Sequence, residues 1–202
     1  MSKEVSYYEN TIEIEKKIWK LLTNAVKNRS SEFRTPTFIC GNSEDLDGRV
    51  VVLRKADQKN NIIQFHSDIR SSKIEKIRKN PNCSILFYGK EEKIQLRIKA
   101  VCEINYNNEI TKESWKRTGH ISRKCYLVTN SPGTKSLKPT SGLDNKFDKF
   151  DFSKEESEDG YKNFCVIRCK IKSIEWLYLA AKGHRRALIS LNGQKKFTWL
   201  VP

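Results

Sequence analysis

The chain has 202 residues, 37% of them hydrophobic and 31% charged, so it can bury a core and is not a disordered chain. Its 39 Lys and Arg against 24 Asp and Glu give a formal net charge of +15, which favours anionic partners such as nucleic acid or phosphorylated small molecules. The basic residues are spread without a long run, which argues against nucleic acid, and no apolar run approaches the length of a membrane span.

The first predicted element is an amphipathic helix over residues 7–28. Its apolar positions recur at helical spacing, at Ile14, Ile18, Leu21, Leu22 and Ala25. A strand over 33–40 and a turn over 42–48 follow. The dense β-branched run 49–55 then predicts one strand of a hairpin, and 62–66 predicts its partner.

The rest of the chain continues with short strands and short helices. We predict helices over 71–79, 108–116 and 120–128, and strands over 83–88, 94–104, 164–179, 186–191 and 197–201. Residues 131–160 are rich in Pro, Gly, Ser, Asp and Lys and predict a long, partly mobile loop. We therefore expect one domain over 1–202, mainly β with helices, whose antiparallel hairpins (five or six strands) close wholly or partly into a Greek-key-like barrel.

The six cysteines form no C-x-x-C pair, and the chain has only three histidines. The sequence therefore contains no recognisable metal motif, and we expect no metal. Free thiols buried in the core of a protein from a reducing cytoplasm are the expected state. The N-terminus has no apolar segment of the kind found in secretory signals, which also favours a cytoplasmic location.

Residues 49–73 contain an ordered set of groups suited to a phosphate. Arg49 and Arg54 bracket one strand, His66 and Ser67 end the next, and Ser71-Ser72-Lys73 open a helix. Arg offers a planar fork of donors and Lys a point charge, while the first turn of a helix adds backbone N–H groups and a favourable dipole. Neither a G-x-G-x-x-G loop nor a P-loop is present, so side chains would have to hold the anion.

This ordered set resembles the pyridoxamine 5′-phosphate oxidase family, whose FMN site has an arginine strand, an aromatic-hydroxyl pair and a Ser-x-Lys helix start before Asn-Pro. Here the corresponding pieces are Arg49 to Arg54, Phe65-His66-Ser67, Ser71-Ser72-Lys73 and Asn80-Pro81. Further similarities are Gln95 with its strand, Asn130-Ser131, Trp176, the segment Lys182 to Arg186, and the closing Trp199-Leu-Val-Pro202.

The resemblance implies an FMN-binding split β-barrel that forms a homodimer, with FMN between the subunits. It implies FMN contacts at Arg49, Val50, Leu53, Arg54, His66, Ser67, Ser72, Lys73, Gln95, Asn130, Ser131, Trp176 and Arg186. It implies contacts with a small phosphorylated substrate at Arg54, Arg117, Lys182 and His184. No side chain identifies itself as a general base, and hydride transfer from a carbon next to an amine does not require one.

The substrate side departs from the family pattern. Arg54 stands where the family has Lys, Lys182 replaces the first Arg of the C-terminal motif, and only Arg117 matches the middle segment. The resemblance thus favours an FMN-dependent oxidase of pyridoxamine phosphate-like amines that uses oxygen. It leaves open a flavin reductase, a general-stress-type FMN protein, and a non-enzymatic protein that binds flavin, deazaflavin or haem.

Overall fold

A computed structural model describes residues 6–149 and 152–202, and its centre is a nine-stranded antiparallel sheet. The nine strands exceed the five or six expected. Their bounds are β1 Thr37–Cys40, β2 Asp47–Val50, β3 Leu53–Asp57, β4 Ile62–Asp68, β5 Asn82–Gly89, β6 Ile94–Tyr106, β7 Phe164–Tyr178, β8 Arg185–Ser190 and β9 Lys196–Leu200.

The sheet branches at its longest strand. The main order is β2-β1-β5-β6-β7-β4-β3, with β8 paired to β7 and β9 to β8. The 15-residue β7 pairs with β6 along nearly its whole length, with β4 through Phe164–Lys170 and with β8 through Ser173–Tyr178. β7 therefore connects the region around β4, at its first half, with the region around β8, at its second half.

The main path of the sheet curls because the strands at its two ends, β2 and β3, are consecutive in the chain. Only Val51 and Val52 join them, so Val50 and Leu53 can be at most about 11 Å apart. The edges do not pair with each other, so the barrel stays split. The expected mainly β fold with an incompletely closed antiparallel barrel is confirmed. The single strand predicted over 49–55 is wrong, because the chain changes partner within it: β2 pairs with β1 and ends at Val50, whereas β3 begins at Leu53 and pairs with β4.

Five α-helices lie around this sheet within the described residues. Their bounds are α1 Thr11–Lys27, α2 Ser72–Lys79, α3 Glu109–Arg117, α4 His120–Arg123 and α5 Asn145–Asp148. The structure begins α1 at Thr11 because the Asn10 side chain accepts from the N–H groups of Ile12 and Glu13, at 2.9 and 3.3 Å. All five apolar positions predicted for this helix are buried, and the helix packs on β3.

Two other segments differ from their predicted conformation. The strand predicted over 33–40 begins only at Thr37, because Glu32–Arg34 form a 3₁₀ turn just before Pro36. The loop predicted over 131–160 includes the short α5 and the start of a 3₁₀ helix at Glu156–Asn163, while positions 150 and 151 lie outside the described residues. None of the helices in the described ranges has the length and apolarity needed to cross a bilayer.

The main core fills the barrel and the face of α1, and one glycine is required by its packing. A Cβ placed on Gly89 at the end of β5 would lie 2.3 Å from the buried ring of Phe33. A side chain at position 89 would therefore push the Phe33 ring out of the core.

A second cluster, of Trp115, Tyr126, Phe164 and Val166, packs under α3. Arg123 is buried beside it with 2% of its surface exposed. Its guanidinium donates to the carbonyls of Trp115 at 2.8 Å and Thr118 at 2.9 Å and pairs with Glu158. These bonds fix α4 against α3.

All six cysteines are free thiols, as expected. Five are buried, but Cys125 is exposed because it lies in a 3₁₀ turn, Lys124–Tyr126, on the surface. The expectation of a buried thiol is therefore wrong for Cys125.

Candidate functional site

A basic cleft opens where the two sheet edges meet. Its walls come from the end of β2, the Val51-Val52 link, the end of β4 and the start of α2. Arg49, Arg54, His66, Ser67, Ser71 and Lys73 line it. The fold thus gathers most of the residues that the sequence predicted for a phosphate.

Hydroxyl groups and two cations meet at the centre of the basic cleft. The ammonium of Lys73 donates to the Oγ atoms of Ser67 at 2.8 Å and Ser71 at 2.9 Å. The guanidinium of Arg49 lies 3.4 Å from the Oγ of Ser71 and 3.5 Å from that of Ser72. An anion placed here would meet Arg and Lys donors together with three serine hydroxyls.

The positive charge of the basic cleft is only partly compensated. Burial, together with the charge of Arg49, lowers the pKa of Lys73. Arg49 pairs with Asp47, while the carboxylate of Asp68 is engaged by Arg70 at 2.7 Å. Among the described residues, the buried Nε atoms of Arg49 and Arg54 have no hydrogen-bond partner. Unpaired buried donors of this kind indicate a site shaped for an anion.

The N-terminus of α2 faces the same point. Ser71 occupies the N-cap position, yet its hydroxyl makes no capping bond to the helix backbone. It accepts from Lys73 instead. The backbone N–H groups of the first turn and the helix dipole therefore add to the side-chain donors that attract an anion.

His66 forms the wall of the basic cleft beside Arg54. Burial, and to a lesser extent the charge of Arg54, lowers the pKa of His66 to about 3, so its imidazole is neutral at physiological pH. The ring meets Phe164 edge-on at 4.8 Å, and its buried Nδ1 has no partner in the described part of the chain. A neutral His66 offers a hydrogen bond to a ligand without adding charge.

A second groove, the arginine groove, lies on the other side of Arg54 and His66. Arg29, Arg34, Arg54, Arg117 and Arg168 line it, with Glu109 and Glu113 from α3. It brings together Arg54 and Arg117, two of the residues predicted to bind substrate. Lys182 and His184, the other two, lie in the exposed turn between β7 and β8, outside this groove.

Gln95 and Arg186, predicted for the flavin ring, lie away from the basic cleft, towards the other end of β7. In the ladder Gln95 is opposite Leu177, and Leu177 is opposite Arg186, so the three side chains form one row across β6, β7 and β8. On the same β7 strand His66 is opposite Val166, eleven residues before Leu177. That separation is up to about 36 Å along the strand at roughly 3.3 Å per residue.

The remaining predicted cofactor contacts fall in three places. Trp176 and Leu53 are fully buried in the core, and the Nε1 of Trp176 has no partner among the described residues. Val50 is 67% exposed at the mouth of the basic cleft. Asn130 and Ser131 precede Pro132, which lines the same cleft, and Arg70 holds this segment through the carbonyls of Val128 and Thr129 at 3.0 and 3.1 Å.

Sequence reasoning missed the acidic partners of these arginines. Asp47 and Asp68 each stand two residues before the arginine that they bind. Within β2 this spacing places Asp47 and Arg49 on one face and could have revealed their pairing, whereas Arg70 lies in the turn after β4. Glu175 accepts from Arg186 at 2.9 Å and from Arg97 at 2.5 Å. Burial works in the opposite direction, but these two arginines hold the pKa of Glu175 below its usual value.

Comparison with known proteins identifies the fold around this site. Residues 16–105 match the family model for the FMN-binding domain of pyridoxamine 5′-phosphate oxidase. That segment contains the basic cleft from Arg49 to Lys73 and also Gln95. No curated protein sequence matches the chain.

Solved structures with the same fold cover most of the chain at low identity. A pyridoxamine 5′-phosphate oxidase-related, FMN-binding protein from Nostoc punctiforme is 18% identical, with a TM-score of 0.73 over 93% of this chain and 96% of the other. PhzG from Burkholderia lata, solved with tetrahydrophenazine-1-carboxylic acid, is 16% identical, with a TM-score of 0.68 over 96% of both chains. ChuZ from Campylobacter jejuni is 13% identical, with a TM-score of 0.54 over 93% of this chain and 63% of the other.

Proposed function

We propose, on the premise that residues 16–105 form an FMN-binding domain of the pyridoxamine 5′-phosphate oxidase family, that the protein is an FMN-dependent oxidoreductase. The observation that carries this proposal is the basic cleft, in which Arg49 and Lys73 face three serine hydroxyls. FMN, when bound, supplies the hydride acceptor of the reaction. The protein binds and orients the reactants.

The basic cleft suits a single terminal phosphate. Lys73 and Arg49 would bind the dianion, the hydroxyls of Ser67, Ser71 and Ser72 would donate to it, and the unpaired Nε of Arg49 would gain a partner. The sequence contains no dinucleotide-binding motif for an adenosine half, so we propose FMN rather than FAD as the ligand.

We propose that two copies of the chain share each flavin site. His66 of the basic cleft is opposite Val166, and the row that holds Gln95 and Arg186 crosses Leu177, so one copy of the chain places these two groups near opposite ends of β7. A second copy that docks its Gln95 row against the basic cleft would complete the site. Exposed apolar side chains on β2, β5 and β9 are available for such an interface, at Val50, Tyr88 and Trp199.

The arginine groove is the proposed site for the substrate. Arg54 belongs to both the basic cleft and the arginine groove, so a phosphorylated molecule bound by Arg54 and Arg117 would lie next to the flavin. His66 stands between the two and is neutral, so it can orient a substrate by hydrogen bonding but cannot repel a cationic amine. We therefore propose an amine that carries a phosphate, such as a pyridoxamine phosphate, as the substrate, and oxygen as the acceptor.

A flavin reductase or general-stress-type FMN protein is the second candidate. The observation that favours it is the departure of the substrate side from the family pattern, with Arg54 where the family has Lys and Lys182 in place of the first Arg of the C-terminal motif. Reduction of the bound flavin by pyridoxamine phosphate without oxygen supports the oxidase. Reduction only by a nicotinamide cofactor supports the reductase, and a Soret band in the purified protein would identify a haem protein.

Direct FMN titration tests the proposal first. We expect quenching of flavin fluorescence and, at a hundred times the Kd, a stabilisation of about 2.7 kcal/mol. Absence of both changes would refute FMN binding.

Subunit mixing tests the shared site. Lys73→Ala and Arg186→Ala each damage one half of the proposed site, but a mixed dimer contains one site with both residues intact. Equal mixing should therefore restore FMN binding to about a quarter of the sites. If mixing restores nothing, the two residues do not act across subunits.

A further inference from the structure

Three buried cysteine thiols come together inside the barrel, away from the residues used above. Cys83, Cys102 and Cys169 lie on the adjacent strands β5, β6 and β7, and their three sulfur atoms are all within 4.8 Å of one another. The sulfurs of Cys102 and Cys169 are 3.6 Å apart. Cys169 is fully buried, and the other two are 7% exposed.

Strand register places these thiols together. Cys102 is directly opposite Cys169 in the β6–β7 ladder. Cys83 is opposite Ala100, two residues before Cys102, so its side chain points to the same inward face. Cys40 on β1 is opposite Cys83 and also buried, but its sulfur falls outside the 4.8 Å group. The backbone ladder thus preorganises three sulfurs without help from a flexible loop.

The spacing of these sulfurs matches the requirements of a metal ion. A zinc–sulfur bond is about 2.3 Å long, so three thiolates around one ion are roughly 4 Å apart. The observed separations, from 3.6 Å to at most 4.8 Å, bracket that value. The ligand set is all sulfur, which selects thiophilic ions and disfavours Mg²⁺ and Ca²⁺.

We propose that Cys83, Cys102 and Cys169 form a binding site for a thiophilic metal ion of the zinc class. Each thiol loses its proton on binding, so one divalent ion forms three metal–sulfur bonds, releases three protons and leaves a net charge of −1. A monovalent ion would leave −2 in the same buried place, which costs more.

A surface groove gives the ion a route to the cluster. Cys83 and Cys40 both line it, together with Gly41, Asn80, Lys99 and Lys172. The two lysines place positive charge at its mouth, which opposes entry of a cation but compensates the anionic complex once it has formed. The site is separate from the basic cleft, so the proposal does not depend on FMN.

Cadmium titration of the reduced full-length chain without oxygen tests the site, because cadmium–thiolate bonds absorb in the ultraviolet. We expect one Cd²⁺ per chain, an absorbance that corresponds to three thiolates, and release of about three protons by the stoichiometry above. Binding by two or fewer thiolates, or no stoichiometric binding, would overturn the proposal. These readouts need no variant.

Variants then locate the site. Cys169→Ser and Cys102→Ser should each weaken Cd²⁺ binding by at least about a hundredfold, because changes outside the ligand shell already cost 10- to 100-fold. Cys165→Ser is the matched control, since Cys165 is equally buried on β7 but outside the cluster, and Cys125→Ser removes the exposed thiol. Both controls should retain binding. If Cys169→Ser binds normally, or if Cys125→Ser abolishes binding, the cluster is not the site.

Discussion

Replacement of Lys73 by alanine provides the sharpest test of the phosphate assignment. Lys73 donates to the hydroxyls of Ser67 and Ser71 and sits at the start of α2, where the helix dipole opposes a cation. Burial and the neighbouring Arg49 lower the pKa of Lys73, so the folded apo-protein disfavours its charged form. A bound phosphate would instead favour the charged form of Lys73.

The expected magnitude follows from the interaction that is lost. A hydrogen bond to a charged group contributes about 1.5–3 kcal/mol, so Lys73→Ala should weaken FMN binding by roughly ten- to a hundredfold. Arg49→Ala should weaken it by a similar factor. Because the charged Lys73 is disfavoured without an anion, its removal should leave the apo-protein Tm unchanged or slightly raised.

Fluorescence titration with FMN and with riboflavin measures the effect. Riboflavin lacks the phosphate, so its affinity should be weak in the wild type and nearly the same in both variants. Lys76→Ala is the matched control, because Lys76 lies one turn further along α2 and pairs with Asp45. Equal losses for FMN and riboflavin would place Lys73 at the ring or in the fold, and the phosphate assignment would have to be abandoned.

Three further variants test the electrostatics and packing. The pKa of His66 is about 3 in the folded protein and 6.5 in the free imidazole. Below pH 6.5 the unfolded chain therefore binds a proton that the folded chain does not. The free energy of unfolding, which is undiminished above pH 6.5, should fall with the pH and be lower by about 3 kcal/mol at pH 4.5. Urea unfolding at pH 7 and 4.5 should show this loss reduced in His66→Gln but kept in His184→Gln; an equal loss in both would contradict it. Arg123→Met should cost about 3 kcal/mol of unfolding free energy, because it leaves two carbonyls unpaired, and a cost below about half a kcal/mol would refute that role. Gly89→Ala should lower stability by about 1–3 kcal/mol through displacement of the Phe33 ring, and an unchanged Tm would contradict the clash.

Local sequence patterns predicted where most helices and strands lie, but they did not predict which strands pair with each other. The apolar spacing in α1 and the Asn80-Pro81 stop after α2 act within a few residues, and the structure agrees with both. The run 49–55 also has strand propensity throughout, but its halves belong to opposite edges of the sheet. That division depends on pairing with β1 and β4, which no local pattern contains.

The residues of the candidate sites likewise include some that local sequence identifies and others that it does not. Arg49, Lys73 and the serines could be assigned because their order along the chain is itself a motif. The three-cysteine cluster could not, because its members are 19 and 67 residues apart and only the register of three strands brings them together. The absence of a C-x-x-C pair was therefore no guide to whether sulfurs meet in space.

The two-residue link between the sheet edges also sets the order of events in folding. β6 and β7 pair residues as far apart in sequence as Ile94 and Tyr178, and such distant contacts slow folding. We expect Arg49 and Arg54 to approach Lys73 only after the sheet has curled, and the basic cleft therefore to form late. Added FMN should therefore leave the refolding rate nearly unchanged and act almost wholly by slowing unfolding. Cells that lack flavin would contain a protein that folds at the same speed but opens more often.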